Sequence, residues 1–138
     1  MTTSEIDFLS LKSAAEQACA LAYAPYSHFP VGSAVADASG QIISACNVEN
    51  ASFGLTMCAE RSALAAAVAA GLEELTVILI FTPGPRAHSP CGACRQVMQE
   101  LMSPDARIIS CCDSRDIRNW NIESILPDPF VTQKSLGC

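Results

Sequence analysis

The sequence predicts an α/β fold in which helices cover the faces of a β-sheet. Apolar residues recur at spacings of three and four over residues 5–22, as in a helix that packs one stripe against a core. Residues 75–82 form an almost wholly apolar run, which is typical of a strand covered on both faces. The predicted elements follow the order α-β-β-α-β-α-β without a repeat or a linker, so we expect one domain over residues 1–138.

After the first helix, the chain predicts a loop and a β-hairpin. Residues 24–30 contain two prolines, which prevent a long helix from continuing. Two strand-like segments, 31–38 and 41–46, flank the short turn signal Ser39-Gly40. We therefore expect these two strands to pair with each other.

The middle of the chain predicts a second helix. Residues 47–56 are polar and contain glycine, which is typical of a loop, and residues 57–70 are rich in Ala and Leu, which is typical of a buried helix. We expect Thr56 to be the N-cap of this helix and Gly71 to follow its last turn.

The remaining pattern predicts a third helix and a further strand. A proline-rich loop at 83–90 leads to the helix at 91–102, and the strand follows at 106–112. Beyond it the pattern weakens. Residues 122–126 predict one helical turn, and we expect the tail, 131–138, to be mobile.

Charge and hydropathy exclude several classes of function. With 8 Lys and Arg against 14 Asp and Glu, the net charge is −6, and the basic residues do not form the stripe that binds a phosphate backbone. No window holds 18 uninterrupted apolar residues, so no membrane helix is expected. The N-terminus lacks the basic and apolar regions of a secretory signal. We therefore expect a cytoplasmic protein with neither nucleic acid nor membrane as a partner.

The eight cysteines indicate metal or redox chemistry, because a disulfide scaffold belongs to small secreted chains that cannot build a core. Cys58, Cys91 and Cys94 lie where loops meet the starts of predicted helices, and the positive end of a helix favours the thiolate. Residues three apart share a helix face, so Cys91 and Cys94 can bind one metal ion. Cys58 supplies a third sulfur if the two helix ends meet.

Three ligands without an obvious fourth are typical of a catalytic zinc, which keeps one position open, whereas a structural zinc is closed by a fourth Cys or His. Both histidines, His28 and His88, lie in predicted loops and are open candidates for that fourth ligand. His88 is the stronger candidate because it lies only three residues before Cys91.

Two residues beside Cys58 favour catalysis. Glu60 lies close enough to the metal to move protons during hydrolysis, although a glutamate also stabilises a helix N-terminus without any catalytic role. Three thiolates on Zn²⁺ give the site a formal charge of about −1, and the guanidinium of Arg61 can draw off part of that charge through hydrogen bonds to the sulfurs.

Asn47 and Glu49 are two residues apart, directly after the second predicted strand. If the extended conformation continues past Cys46, the two side chains share a face and can reach one ligand. A carboxylate accepts hydrogen bonds from sugar hydroxyls, although both residues also suit a solvated loop.

Four segments together resemble a known family. They are Phe29-Pro-Val-Gly32, Asn47-Val-Glu49-Asn-Ala-Ser52, Cys58-Ala-Glu-Arg61 and Pro90-Cys-Gly-Ala-Cys-Arg-Gln96. The cysteines and the glutamate match the three-cysteine form of the zinc nucleobase-deaminase signature. In this order the segments are similar to the short, homotetrameric cytidine deaminases that act on free nucleosides. The similarity covers about residues 22–98 and continues more faintly to Phe130.

This resemblance implies a three-layer α-β-α fold with a central mixed sheet of about five strands. It implies one Zn²⁺ per chain, held by the three cysteines, and Glu60 as the group that moves protons. The implied reaction is the hydrolytic deamination of cytidine and 2′-deoxycytidine to uridine and 2′-deoxyuridine with release of ammonia, a step of pyrimidine salvage.

The resemblance also implies the substrate contacts. Asn47 and Glu49 bind the ribose hydroxyls, and Phe29 packs beside the base. Backbone groups around Ala59 and Ser89 meet the pyrimidine edge.

A homotetramer with composite active sites is implied too, because in the family a C-terminal phenylalanine from a neighbouring subunit covers the base. Phe130 is the matching residue here. The chain departs from the family at Phe53, where a tyrosine is common at the subunit boundary, and in the tail after Phe130.

Three other functions stay open from the sequence. A deaminase acting on a base-containing antibiotic or a polynucleotide is the nearest rival, although Asn47 and Glu49 favour a free sugar and the acidic composition disfavours a polynucleotide. A structural zinc module that binds partners requires four protein ligands and gives Glu60 no role. A thiol redox protein that uses Cys91 and Cys94 leaves the third cysteine and Glu60 unexplained.

Overall fold

The computed structural model describes residues 7–132. They form three layers, with a five-stranded mixed sheet between two layers of helices, as expected. Along the chain the elements are α1 (Phe8–Cys19), β1 (Gly32–Asp37), β2 (Ile42–Cys46), α2 (Ala59–Ala69), β3 (Leu75–Phe81), α3 (Gly92–Leu101), β4 (Met102–Cys111), β5 (Arg118–Asn121) and α4 (Ile122–Ile125). Residues 5 and 6 of the predicted first helix and residues 133–138 of the predicted mobile tail lie outside the described residues.

The sheet has the strand order β2-β1-β3-β4-β5. β1 pairs antiparallel with β2, with Gly32 opposite Cys46, which confirms the predicted hairpin. β1 also pairs antiparallel with β3, with Gly32 opposite Phe81, whereas β3 and β4 are parallel. β5 pairs antiparallel with β4 and is the outermost strand on that side of the sheet.

Strand β3 is buried along its whole length, which confirms the prediction of a strand covered on both faces. Successive side chains of a strand point to opposite faces, so β3 contributes to both helical layers. Ile78 and Ile80 pack in the core that includes residues of α2, α3 and α4. Val77 and Leu79 pack in the core formed with α1.

The connections around β3 bring two helix N-termini to one edge of the sheet. Residues 70–74 link α2 to β3, and residues 82–91 link β3 to α3. Because each link turns the chain back, both helices run antiparallel to β3 and start beside the end of that strand. Gly32 is opposite Phe81 and Cys46, so β1 starts and β2 ends at this same edge.

Both ends of α1 and the start of α2 differ from the prediction. α1 starts at Phe8, because the Asp7 carboxylate caps it by accepting a bond of 2.9 Å from the Leu9 backbone N–H. The same helix ends at Cys19, three residues earlier than expected. The prediction of Thr56 as the N-cap of α2 is wrong, because the helix starts two residues later, after Cys58.

The predicted end of α2 is confirmed at Gly71. This glycine has a φ of +85°, a left-handed conformation that glycine adopts without steric cost. Its N–H bonds the carbonyl of Val68, and the N–H of Leu72 bonds the carbonyl of Ala67. These two bonds satisfy carbonyls that the helix end would otherwise leave unpaired.

The last strands also differ from the prediction. β4 starts at Met102 and not at residue 106, and α3 ends one residue earlier than expected. Residues 103–106 form a bulge, because Leu75 pairs with Met102 whereas Val77 already pairs with Arg107. Pro104 lies in this bulge, where it disrupts no ladder bond.

The sequence does not predict β5, which has only four residues, whereas it does predict the helical turn that follows. Asn121 and Ser124 form a capping box at the start of α4, with each side chain bonded to the other residue's backbone N–H. In the part of the chain that the structure describes, no helix is long and apolar enough to cross a bilayer.

Gly32→Ala is expected to lower the free energy of unfolding by about 1–3 kcal/mol or more, because α1 lies directly on β1 at this point. A Cβ at Gly32 would lie 1.9 Å from the backbone oxygen of Ala15 and 2.9 Å from Cβ of Cys19. Gly54→Ala is the matched control, because nothing lies within 4 Å of its Cβ position. Thermal unfolding should show a lower Tm for Gly32→Ala alone, and equal Tm values for both variants would contradict the close packing.

Candidate active site

Three cysteine side chains meet where the N-termini of α2 and α3 approach each other. Cys58 is the N-cap residue of α2 and Cys91 that of α3, and neither side chain caps its helix. Cys94 lies in the first turn of α3 and is buried. Sγ of Cys91 lies 3.8 Å from Sγ of Cys58 and 3.4 Å from Sγ of Cys94, and all three sulfurs lie within 4.8 Å of one another.

The three sulfurs fit a tetrahedral zinc ion. Zinc–thiolate bonds of about 2.3 Å separate neighbouring sulfurs of a tetrahedron by about 3.8 Å, close to the separations found here. Among residues 7–132, no fourth His, Cys, Asp or Glu belongs to the cluster, so neither His28 nor His88 closes it. The arrangement resembles a catalytic zinc site, which keeps one position for water, and not a closed structural site.

Hydrogen bonds stabilise negative charge on Cys58. The pKa of its thiol is lowered, chiefly by a hydrogen bond from Cys94 and further by Arg61. Nη2 of Arg61 lies 3.4 Å from Sγ of Cys58 and also donates to the carbonyl of Thr56 at 3.3 Å. The Cys94 thiol, as the donor, has its pKa raised. The guanidinium thus places a positive charge directly beside one sulfur of the cluster.

Glu60 is a buried carboxyl group next to the sulfur cluster. It is the second residue of α2, and only 5% of its surface is exposed. The pKa of Glu60 is raised to about 6, chiefly by burial and in part by the negative charge of Cys58. A carboxyl group with a pKa near neutrality can both accept and donate a proton during one reaction cycle.

A cavity of about 450 Å³ opens beside the cluster at the edge of the sheet where β3 ends. Cys58, Glu60 and Cys91 line it on the metal side. All of the substrate-contact residues expected from the sequence except Phe130 also line it, namely Phe29, Asn47, Glu49, Ala59 and Ser89. Ala59 is the first residue of α2, so its backbone N–H has no partner within the helix.

Asn47 and Glu49 enter the cavity from an extended segment that continues beyond β2. Val48, between them, pairs with Tyr23 on one side and Met57 on the other, which fixes the segment in place. The side chain of Asn47 is buried. It binds the backbone that precedes β1, because its Oδ1 accepts a hydrogen bond from the N–H of Val31 at 2.9 Å. Its Nδ2 also donates to the carbonyl of Phe29 at 2.9 Å.

Glu49 holds the loop that precedes Phe29. Oε1 of its carboxylate accepts from the N–H groups of Tyr26 and Ser27 at 3.0 and 3.1 Å, and Oε2 accepts from the Ser27 hydroxyl. The hydrogen bond from the Ser27 side chain is the main cause of a lowered pKa for Glu49. The carboxylate is therefore ionised at neutral pH.

His88 forms part of the cavity wall. Its ring meets the ring of Phe29 edge to face, with 5.0 Å between the centroids and 75° between the planes. The carbonyl of His88 accepts from the hydroxyl of Ser110 at 2.6 Å, which ties this loop to β4. The sequence left His88 open as the stronger candidate for a fourth metal ligand, whereas the structure places its ring against the ring of Phe29.

Phe130 does not line the cavity of its own chain, and 75% of its surface is exposed. Gln96 of α3 holds the segment by donating to the carbonyl of Phe130 at 3.1 Å. Arg95 links the start of α3 to the end of α4, because its guanidinium donates to the carbonyls of Pro90 at 2.9 Å and Ile125 at 3.2 Å. The C-terminal segment is therefore anchored to the helix that carries two of the cysteines.

Sequence reasoning missed Ser27 and gave no role to Arg95 and Gln96. Both of the latter follow Cys94 directly, which is a signal that they belong to the site, but their partners lie about 30 residues further along the chain. For Ser27 the only local signal is its position two residues before Phe29.

Comparisons with known proteins agree with this geometry. Residues 8–111 match the family model of the cytidine and deoxycytidylate deaminase zinc-binding region. A cytidine deaminase from Halalkalibacterium halodurans is 41% identical over 112 residues, which are 81% of this chain and 85% of that protein. A cytidine deaminase from Mycobacterium tuberculosis is 36% identical over 126 residues, which are 91% of each chain.

Solved structures show the same likeness. The crystal structure of cytidine deaminase from Burkholderia pseudomallei matches with a TM-score of 0.84 and 42% identity, covering 90% of this chain and 99% of that one. The cytidine deaminase structure from Bacillus anthracis has a TM-score of 0.66 at 15% identity, which shows a shared fold. Because the family model and the relatives cover most of its length, the chain belongs to the zinc-binding cytidine and deoxycytidylate deaminase family.

Proposed function

We propose that this chain hydrolyses cytidine and 2′-deoxycytidine to uridine and 2′-deoxyuridine, releasing ammonia, as a step of pyrimidine salvage. The single observation that supports this most strongly is a buried carboxyl group, Glu60, in the same cavity wall as two of the three clustered cysteines. A structural zinc module has no use for such a group, and a two-cysteine redox site leaves both Glu60 and Cys58 without a role.

Cys58, Cys91 and Cys94 would hold one Zn²⁺ per chain, and Arg61 would offset part of the charge of the three thiolates. When bound, zinc acidifies a water molecule and so supplies a nucleophile at neutral pH. Arg61 suits its role because its guanidinium already lies 3.4 Å from Sγ of Cys58.

Glu60 would move the protons of the reaction. Hydrolysis moves one proton from water to N3 of the pyrimidine, and a second from the hydroxyl group newly formed at C4 to the amino group, which then leaves as ammonia. A carboxyl group with a pKa of about 6 exchanges protons readily at neutral pH. Burial limits the contact of Glu60 with bulk water.

The remaining lining residues would orient the nucleoside. We expect Asn47 and Glu49 to bind the sugar hydroxyls and the Phe29 ring to pack beside the base. The backbone of Ala59 and Ser89 would meet the polar edge of the pyrimidine. Ala59 suits this contact because its N–H, at the start of α2, has no partner within the helix.

The active form would be a homotetramer in which Phe130 of one subunit covers the base in another. This is consistent with the exposure of Phe130 outside the cavity of its own chain. It is also consistent with the 74% exposure of Phe53, which lines a second pocket that shares Ser27, Glu49 and Thr56 with the cavity. A cytoplasmic location is proposed as well, because three zinc-binding thiols need a reducing compartment.

Glu60→Gln is expected to keep the zinc and the fold while lowering kcat by about 10²–10⁴-fold, because the amide cannot transfer protons. Loss of cytidine absorbance measures the turnover, and metal analysis with thermal unfolding checks that the site is intact. Glu74→Gln, at an exposed glutamate after α2, is the control and should have the wild-type rate. A Glu60→Gln enzyme with half the wild-type kcat would contradict the proton-transfer role.

Glu49→Ala is expected to reduce the preference for cytidine over free cytosine by about tenfold or more, the usual effect of losing a hydrogen bond to a charged acceptor. The measurement is kcat/KM for both substrates with the same enzyme preparation. Cytosine has no sugar, so it serves as the internal control for any general change in the loop that Glu49 holds. An unchanged ratio of the two kcat/KM values would rule out the contact with the sugar.

A further inference from the structure

The loop before Phe29 is tied to Glu49 by one serine. Ser27 donates to both oxygens of the carboxylate, through its N–H to Oε1 at 3.1 Å and through its hydroxyl to Oε2. The N–H of Tyr26 also donates to Oε1 at 3.0 Å. Three donors from two adjacent residues therefore converge on one carboxylate.

These bonds leave Glu49 able to bind a ligand. An ionised carboxylate has about four lone-pair positions, and the loop occupies three of them. Glu49 lines the cavity beside the sulfur cluster, so the remaining position suits one hydroxyl group of a ligand there. The loop contacts and a ligand contact are thus compatible with each other.

The same serine hydroxyl also holds Phe29. Its Oγ accepts from the N–H of Phe29 at 3.0 Å while it donates to Glu49. The ring of Phe29 lines the cavity and contacts the ring of His88. The backbone carbonyl of Phe29 accepts a hydrogen bond from Nδ2 of Asn47. One hydroxyl group thus connects the carboxylate at one part of the cavity wall to the backbone that carries the aromatic ring at another.

We infer that Ser27 is a positioning residue for the nucleoside, whose hydroxyl fixes the Glu49 carboxylate and the Phe29 ring before the substrate enters. The inference rests on the proposed contacts of Glu49 with the sugar and Phe29 with the base. Groups held in place in advance lose less conformational freedom when a ligand binds, so Ser27 contributes to affinity without touching the reacting atoms. Proton transfer by Glu60 does not depend on it.

Ser27→Ala is expected to raise the KM for cytidine and the Kd for the product uridine by about tenfold while kcat changes by less than about threefold. Ser27→Thr keeps the hydroxyl and should restore both constants. Ser44→Ala removes a hydroxyl from an exposed position of β2 and is the control. Wild-type KM and Kd in Ser27→Ala, or values in Ser27→Thr as weak as those in Ser27→Ala, would overturn the inference.

A double-mutant cycle with Glu49→Ala separates this inference from the proposed function. Without the carboxylate, the serine hydroxyl keeps only its bond from the N–H of Phe29, so Ser27→Ala should add less than about threefold to the Kd for uridine. A full tenfold addition in that background would show that Ser27 does not act through Glu49 and would overturn the inference. An unchanged preference for cytidine over cytosine in Glu49→Ala alone would instead refute the sugar contact itself.

Discussion

The site depends on two helix N-termini that start at the same edge of the sheet. Strand β3 runs between α2 and α3 along the chain, and each connecting segment reverses direction, so both helices begin where β3 ends. This arrangement brings Sγ of Cys58 to 3.8 Å from Sγ of Cys91, although the two residues are 33 positions apart in the sequence. The two helix ends also contribute positive potential, which favours the thiolates that a zinc ion needs. Without this shared edge, neither the cluster of three cysteine sulfurs nor the cavity beside it would form.

The same edge explains how the rest of the cavity is built. Because β1 starts and β2 ends there, the segments that carry Phe29, Asn47 and Glu49 come together beside the cysteines. In this structure Asn47 and Glu49 bind the backbone between residues 26 and 31, so the side chains proposed to bind the sugar also shape the loop that presents the aromatic ring. The proposed sugar contacts and the order of this loop therefore depend on the same two side chains.

Local patterns in the sequence predict most of the fold and the centre of the site. The cysteine spacing and Glu60 are visible because they lie within single helix turns, and the buried strand β3 is visible because it is apolar throughout. β5 is not, because its residues are mostly exposed and polar and its conformation comes from pairing with β4. The link from Ser27 to Glu49 spans 22 residues and exists only once the loop has folded, so no local pattern indicates it.

The most direct test of the zinc site is the zinc content of the purified chain, measured together with cytidine turnover before and after chelation. The three clustered thiols predict one zinc per chain, a loss of turnover as zinc is removed, and recovery when zinc is added back. A chain that contains no zinc and still deaminates cytidine at its full rate would contradict the role assigned to the cluster.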